Sequence, residues 1–219
     1  MPGLLSVENI MISIGDYPLS WIEFVGTLAY FLSVWLIARK NLLTWPVGIL
    51  SVILFGILFY QIQLYSDTIE QLYYLGISVY GWVTWNRTKK QEERIPAGFS
   101  DPASLVAWAA GTLILSIALT FIMSRIHLWM PRLFPLPASF PWWDAVSTVM
   151  SFIAMYLLTI RRTESWVYWI IVDVIAVILY WVKDVRFISI QYIFLLAMAS
   201  YGLIHWMGNE RSAAAEASE

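Results

Sequence analysis

The amino-acid sequence predicts an all-α membrane protein with seven transmembrane helices, arranged as two parallel three-helix repeats joined by one linker helix. The composition is strongly apolar, with 60% hydrophobic residues, 13% charged residues and a mean hydropathy of +0.69. The apolar segments are long and numerous enough to cross a bilayer several times. The third observation is an internal duplication of a three-helix segment.

Composition and motifs also exclude several classes of protein. A soluble domain carries about a quarter charged residues, so this chain is too apolar for water. The chain has no cysteine, which excludes disulfides, thiolate metal sites and cysteine nucleophiles. A net charge of −2 gives no reason to expect a nucleic-acid partner. No HExxH, GxSxG or P-loop sequence is present, and His127 and His205 have no second metal ligand at useful spacing. We therefore expect neither an enzyme nor a bound cofactor or metal.

The N-terminal segment, residues 1–20, has an amphipathic pattern. Val7, Ile10, Met11 and Ile14 recur at helical spacing, with polar residues between them. The pattern fits a short helix lying in the membrane interface, and a frayed terminus fits equally well. No removable signal peptide is expected, because a basic leading region and a small-residue cleavage site are both missing.

The remaining elements follow from apolar runs separated by charged or proline-rich breaks. A spanning helix needs about 20 mostly apolar residues. These runs define a first three-helix bundle, a linker with one helix, a second three-helix bundle and a disordered cytoplasmic tail, at 21–86, 87–140, 141–207 and 208–219. The predicted spans are 21–38, 45–64, 69–86, 103–124, 141–160, 166–182 and 187–207.

The distribution of lysine and arginine orients the spans. Cytoplasmic loops carry an excess of these residues, so the positive-inside rule places the N-terminus outside and the C-terminus in the cytoplasm. The first, third and fifth loops and the tail contain Arg39, Lys40, Arg87, Lys89, Lys90, Arg94, Arg161, Arg162 and Arg211, whereas the other side contains Arg125, Arg132, Lys183 and Arg186.

The internal duplication appears when the chain is shifted by 121 residues, which lays segment 20–86 on segment 141–207 without a gap. Shared leucine and isoleucine arise easily by chance in membrane sequences, but shared tryptophans and a shared Tyr-Gly pair do not. Three-helix units separated by one helix point the same way across the membrane, which is an architecture of transporters. The most informative matches are Trp21 with Trp142, Trp45 with Trp166, Tyr80-Gly81 with Tyr201-Gly202, and Trp85 with Trp206.

The sixth span contains the strongest candidate binding residues. Asp173 lies near its centre, where a carboxylate costs about 3 kcal/mol on insertion scales. Trp166, Trp169 and Asp173 stand at i, i+3 and i+7 and so share one helix face. Two indoles beside one acceptor suit a flat ring that can be cationic. The alternative is two tryptophans of the interfacial belt and an aspartate paired inside the bundle.

The first repeat adds polar and aromatic candidates. Asn41, Trp45 and Gly48 are spaced for one face of the second span, and Gln71 and Tyr74 for one face of the third. Tyr192 is the repeat counterpart of Gln71. Uncharged amides and phenols suit a neutral polyol or amide ligand, although interhelical hydrogen bonding explains such residues too. For Gln61 and Gln63, at the end of the second span, interhelical hydrogen bonding is the preferred interpretation.

Together these residues resemble the PnuC family of bacterial vitamin transporters, whose type member carries nicotinamide riboside. The resemblance runs from about residue 5 to residue 207. The family motif WxxWxxx[ND] is found from Trp166 through Trp169 to Asp173, where many members have asparagine. NLLTWPVG at 41–48, FGILFYQIQLY at 55–65 and YGW at 80–82 also fit the family.

The resemblance implies a fold like a full-length SWEET sugar transporter, placed in the bacterial inner membrane. It also implies homotrimers and facilitated diffusion of unphosphorylated nicotinamide riboside, with uptake driven by phosphorylation inside the cell. On this hypothesis Trp166 and Trp169 stack the pyridinium ring, while Asp173, Gln71 and Asn41 bind the carboxamide and ribose.

Three rival functions can be weighed against the sequence. A related transporter for thiamine or another flat vitamin or nucleoside would differ only in its pocket. A retinal protein would need a lysine in the last span, and 187–207 has none. A membrane enzyme would need a catalytic constellation that the sequence does not show.

Overall fold

The computed structural model describes residues 3, 5–15, 17–62, 65–91, 97–132, 137–138, 140–182 and 186–216. Within these ranges the chain forms seven α-helices and one two-stranded antiparallel sheet, and it divides into two compact units, Met1–Pro96 and Ala97–Glu219. The elements are β1 (Ile10–Ile14), β2 (Tyr17–Ser20), α1 (Trp21–Ala38), α2 (Thr44–Gln61), α3 (Tyr65–Gln91), α4 (Pro102–Trp129), α5 (Pro141–Thr159), α6 (Glu164–Val182) and α7 (Arg186–Glu216).

Every helix predicted from the apolar runs is present. In the described part of the chain, five segments are long and apolar enough to cross a membrane: α1, α2, α4, α6 and residues Ile188–Gly208 of α7. Helices α3 and α5, of 27 and 19 residues, are long enough to span but are not among these segments. The chain is therefore a helical, multi-pass membrane protein.

Several helices extend past their predicted ends. Helix α3 continues into a charged segment predicted to be a loop, because lysine, arginine and glutamine are good helix formers. Helix α4 continues to Trp129, shortly before the helix-breaking Pro131. The prediction of a disordered tail from residue 208 is wrong as far as Glu216, since α7 continues through that segment. The alanines at 213–215 favour this extension.

The N-terminal segment forms a β-hairpin, so the prediction of an interfacial helix or a frayed end is wrong there. β1 and β2 pair with Ile14 opposite Tyr17. Gly15 has a φ of 61°, a left-handed conformation that glycine adopts at little cost. Alternating isoleucines in β1 favour a strand. The Tyr17 hydroxyl donates a hydrogen bond to Glu23. Burial, followed by this bond, raises the pKa of Tyr17.

In the first unit, α2 packs against both α1 and α3. Two hydroxyls on α2 donate to α1 carbonyls: Thr44 Oγ1 to Ser33 O at 2.8 Å, and Ser51 Oγ to Gly26 O at 2.9 Å. Such side-chain bonds satisfy polar groups that a bilayer would leave unpaired. One hydrophobic cluster of this unit consists of Ile22, Leu54 and Leu58, with Val7, Phe55 and Ile57 packed against it.

In the second unit, α5 packs against α4 and α6, and α6 packs against α7. Ser189 Oγ of α7 donates to Val177 O of α6 at 2.9 Å. The linker helix α4 is mostly exposed, and it belongs to the same compact unit as the second bundle.

The two units contain the same helix-ending turn at positions 121 residues apart. In the first, Asn41 N bonds Leu36 O at 2.9 Å and Lys40 N bonds Ile37 O at 2.9 Å. In the second, Arg162 N bonds Leu157 O at 2.8 Å and Arg161 N bonds Leu158 O at 3.1 Å. Both are Schellman motifs. Their left-handed residues are Lys40 and Arg161, with φ of 54° and 62°.

The units also share a tryptophan–glycine–tryptophan contact. Trp45 meets the edge of Trp85 with ring centroids 5.3 Å apart, and Trp166 meets Trp206 at 5.6 Å, both at an interplanar angle of 84°. In each case the first indole lies against a glycine of the third helix of the bundle: Gly81 in the first unit and Gly202 in the second. A larger residue there would occupy the space of the indole.

Candidate functional site

Helix α6 carries the motif residues Trp166, Trp169 and Asp173 on one face. Because a helix rises about 1.5 Å per residue, Trp166 and Asp173 are roughly 10 Å apart along its axis. The three side chains differ in burial. Trp166 is 1% exposed and Asp173 is 3% exposed, whereas Trp169 is partly buried. Trp169 is therefore the motif indole with an accessible ring.

Trp166 is a core residue of the second bundle. Its indole packs on Gly202 and meets Trp206 edge to face. Its Nε1 is buried and has no hydrogen-bond partner among the described residues. Trp45, its counterpart in the first unit, is 2% exposed and has the same orphan Nε1. The role predicted for both indoles in a ligand site stays a prediction, because neither ring is open in this structure.

Asp173 is the unusual group on α6. Its carboxyl is buried and, in the described part of the chain, has no hydrogen-bond or ion-pair partner. An isolated carboxylate in an apolar environment is costly unless it is neutralised or paired. Ionisable groups inside membrane helices mark substrate pathways more often than packing. The repeat counterpart of Asp173 is Val52, so the acid belongs to one repeat only.

Asn41 does not share a helix face with Trp45 and Gly48, contrary to the prediction. Helix α2 begins at Thr44, so the helical spacing does not extend back to Asn41. Asn41 is exposed in the turn, where its Oδ1 accepts a hydrogen bond from Leu43 N at 2.9 Å. In this structure its side chain stabilises the turn between α1 and α2.

The other predicted residues lie partly buried on helices of their own units. Gln71 of α3 lies against Gly56 of α2, with its Cβ 3.6 Å from the point that a Cβ at Gly56 would occupy. Tyr74 packs beside Tyr73, with centroids 5.5 Å apart. In the second unit, Tyr192 stacks on Tyr180 with centroids 5.6 Å apart and planes 12° apart.

Sequence reasoning missed what Gln61 does. Its Nε2 donates to Leu5 O at 2.7 Å and its Oε1 accepts from Val7 N at 3.0 Å. The amide thus binds the backbone of the N-terminal segment at two points, whereas the preferred interpretation was a bond between helices. A hairpin assignment for residues 10–20 would have placed this segment near the end of α2. Gln63 lies outside the described residues.

An open pocket of about 300 Å³ is lined by residues of α4 and by Ile153 of α5. None of its lining residues was predicted to bind ligand: they are Ser104, Ala107, Trp108, Gly111, Leu115 and Ile153.

The known proteins that resemble this chain are transporters. A family model described as nicotinamide mononucleotide transporter matches residues 20–208. The nicotinamide riboside transporter PnuC of Escherichia coli K12 is 30% identical over 226 residues, covering 94% of this chain and 95% of that protein. The riboflavin/roseoflavin transporter RibM of Streptomyces davaonensis is 27% identical, covering 87% and 86%. A crystal structure of the vitamin B3 transporter PnuC has a TM-score of 0.64 at 21% identity, covering 88% of this chain and 83% of the solved one.

The helices define a multi-pass membrane protein, and the family model and relatives identify its class as transporter. This agrees with the prediction that the chain is not an enzyme, which the family of transporters confirms. The chain belongs to the PnuC family, as its motif residues predicted.

Proposed function

We propose that the protein carries unphosphorylated nicotinamide riboside across the bacterial inner membrane by facilitated diffusion, with uptake driven by phosphorylation of the substrate inside the cell. The observation that carries this proposal is Asp173, buried and unpaired on the same helix face as the partly buried Trp169. Nicotinamide riboside contains a flat pyridinium cation. The Trp169 indole can stack on such a ring, and the Asp173 carboxyl can accept hydrogen bonds from the carboxamide or the ribose.

The predicted spans also favour a uniporter. Among their carboxyl groups, only Asp173 lies near the middle of a helix, so there is no series of acids to relay protons. They contain no lysine or arginine at mid-depth to receive a phosphate dianion. These features favour the nucleoside over the mononucleotide that the family description names.

The architecture we propose is three helices, a linker helix and three helices, as in a full-length SWEET transporter. The matching Schellman motifs and tryptophan–glycine–tryptophan contacts support two copies of one bundle. Alternating access is the transport mechanism that we propose for this architecture. We further propose that seven helices span the membrane, that the N-terminus is outside and that the protein assembles as a homotrimer.

Calorimetric titration of the purified protein tests the substrate and the site. Loss of aromatic stacking costs about 1–3 kcal/mol, so Trp169→Ala should weaken nicotinamide riboside binding on the order of tenfold or more. Asp173→Ala should weaken binding similarly, whereas Asp173→Asn should largely preserve it because an oxygen acceptor remains. If both alanine variants bind like the wild type, the site is wrong.

A competition series tests the ligand class. Nicotinamide riboside should displace itself, while nicotinamide mononucleotide should compete poorly. The relative that carries riboflavin makes a flavin the second candidate. Stronger competition by riboflavin or thiamine than by nicotinamide riboside would reassign the substrate while leaving the transporter class intact.

A further inference from the structure

The segment before α4 adds to the turn between α5 and α6 as a short parallel bridge. Gly98 N donates to Arg161 O at 3.3 Å, and Thr163 N donates to Gly98 O at 3.0 Å. Two residues on, Ser100 N donates to Glu164 Oε2 at 3.2 Å. Ser100 and Glu164 are both buried, with Glu164 only 4% exposed. The first turn of α6 is thus hydrogen-bonded to the linker at its start.

A second bond joins the linker to α6, one turn further along α6. Thr112 Oγ1 of α4 and the Tyr168 hydroxyl of α6 are 3.0 Å apart. Thr112 also donates to Trp108 O of its own helix at 2.7 Å, which uses its one hydroxyl hydrogen. Tyr168 must therefore be the donor and Thr112 the acceptor. Tyr168 stands directly before Trp169 in the chain.

The first repeat cannot make either bond. The position 121 residues before Glu164 is Leu43, and the one before Tyr168 is Val47. Neither side chain has a polar atom, and Leu43 is 60% exposed in its turn. The attachment of α6 to the linker through Glu164 and Tyr168 is thus a property of the second repeat.

We propose that Glu164 and Tyr168 are positioning residues, which fasten α6 to the segment 98–112 and so fix where Trp169 and Asp173 stand. The two side chains are four residues apart and face nearly the same way. One attachment leaves a helix free to pivot about that point, whereas two attachments one turn apart also restrain its tilt. Asp173 lies about 7.5 Å further along the axis of the same helix from Tyr168. We call these two attachments together the brace, and their effect on substrate binding rests on the function proposed above.

A double-mutant cycle tests the hydroxyl pair. Tyr168→Phe and Thr112→Val should each raise the Kd for nicotinamide riboside about fivefold, and the double variant should be no weaker than either single one, because all three remove the same interhelical bond. The matched control is Thr120→Val. Thr120 is also partly buried on α4 and donates to Ser116 O at 2.7 Å, with no partner on another helix in the described ranges. Its Kd should not change.

The carboxylate is tested by a conservative and a repeat-derived substitution. Glu164→Gln keeps an oxygen acceptor for Ser100 N and should bind substrate like the wild type. Glu164→Leu installs the residue of the first repeat and should raise the Kd about fivefold. A merely structural role would lower the melting temperature without separating these two variants in Kd. If Glu164→Leu fails to fold, the Tyr168 cycle decides.

The outcomes separate this inference from the proposed function. If Trp169→Ala weakens binding while Tyr168→Phe and Thr112→Val do not, the inference is overturned and the function stands. Additive effects of the two hydroxyl variants on Kd also overturn it. If the wild type binds no nicotinamide riboside, the function fails. The cycle is then read in the melting temperature, where non-additive losses support the brace and additive losses overturn it.

Discussion

The glycines that face the paired indoles give the sharpest prediction of stability. A Cβ at Gly81 would lie 2.2, 2.5 and 2.6 Å from three ring carbons of Trp45. Carbon atoms prefer about 3.5–4.0 Å, so the indole would have to retreat by more than about 1 Å. Trp45 is 2% exposed and rests edge-on against Trp85, which leaves it no free space.

The expected magnitude follows from two opposing terms. Overpacking a core costs about 1–3 kcal/mol, and exchanging glycine for alanine in a helix returns up to about 1 kcal/mol. Gly81→Ala should therefore lose stability by about 1–2 kcal/mol. Gly202→Ala should lose less, since its Cβ would be 2.8 Å from Trp166. The matched control is Gly76→Ala, on the same helix as Gly81 but with nothing within 4 Å, which should be neutral or stabilising.

Thermal unfolding of the detergent-purified protein, followed by intrinsic fluorescence, measures these differences. The expected order of melting temperature is Gly76→Ala highest, then Gly202→Ala, then Gly81→Ala. The double variant Gly81→Ala with Trp45→Leu replaces the indole with a smaller side chain and should recover part of the loss in melting temperature. If Gly81→Ala melts with or above Gly76→Ala, the close contact described for Trp45 is wrong.

Two further predictions concern the ends of helices. Asp101 caps α4 by accepting from Ser104 N at 3.0 Å, and the hydrogen bonds from Ser104 lower the pKa of Asp101. The stabilisation by this cap is complete above the ordinary aspartate pKa and is lost as pH falls through the lower folded pKa. Asp101→Asn should therefore flatten the acid dependence of the melting temperature, and Asp101→Ala should lower the melting temperature at neutral pH. An unchanged acid profile in the asparagine variant would contradict this prediction. Gln61→Ala should release the N-terminal segment and so give faster amide exchange at Val7, measured by hydrogen-exchange mass spectrometry. Gln61→Glu keeps the acceptor for Val7 N, so its amide exchange should have an intermediate rate. Equal exchange in the wild type and both variants would show that the Gln61 amide does not hold the segment.

Much of the fold follows from hydropathy, because a bilayer forces backbone groups to pair within a helix. The positions of the seven helices were predictable for that reason, although their ends were not. Charged residues beyond the apolar run, as in α3, stop the membrane signal without stopping the helix. The N-terminal hairpin was missed because Ile10 and Ile14 fit two patterns: a strand pattern together with Ile12, and a helical pattern together with Val7 and Met11.

The candidate site was less predictable than the fold. Asp173 could be found because a charge inside a long apolar run is conspicuous by itself. The burial of Trp166 could not, since helical spacing places it on the same face as Trp169 and says nothing of what packs there. That distinction depends on Gly202, which lies 36 residues along the chain from Trp166. The attachment of Tyr168 to Thr112 was missed because both residues look like ordinary helix positions.

The left-handed residues of the two Schellman motifs have a consequence for membrane insertion. Glycine is the usual residue at that position, and a side chain there costs about 1–2 kcal/mol. Lys40 and Arg161 carry this cost in both units. In the proposed topology both face the cytoplasm, where basic residues retain a loop during insertion. The same position would thus end a helix and anchor its loop, so that one duplicated segment brought with it both its turn and its orientation.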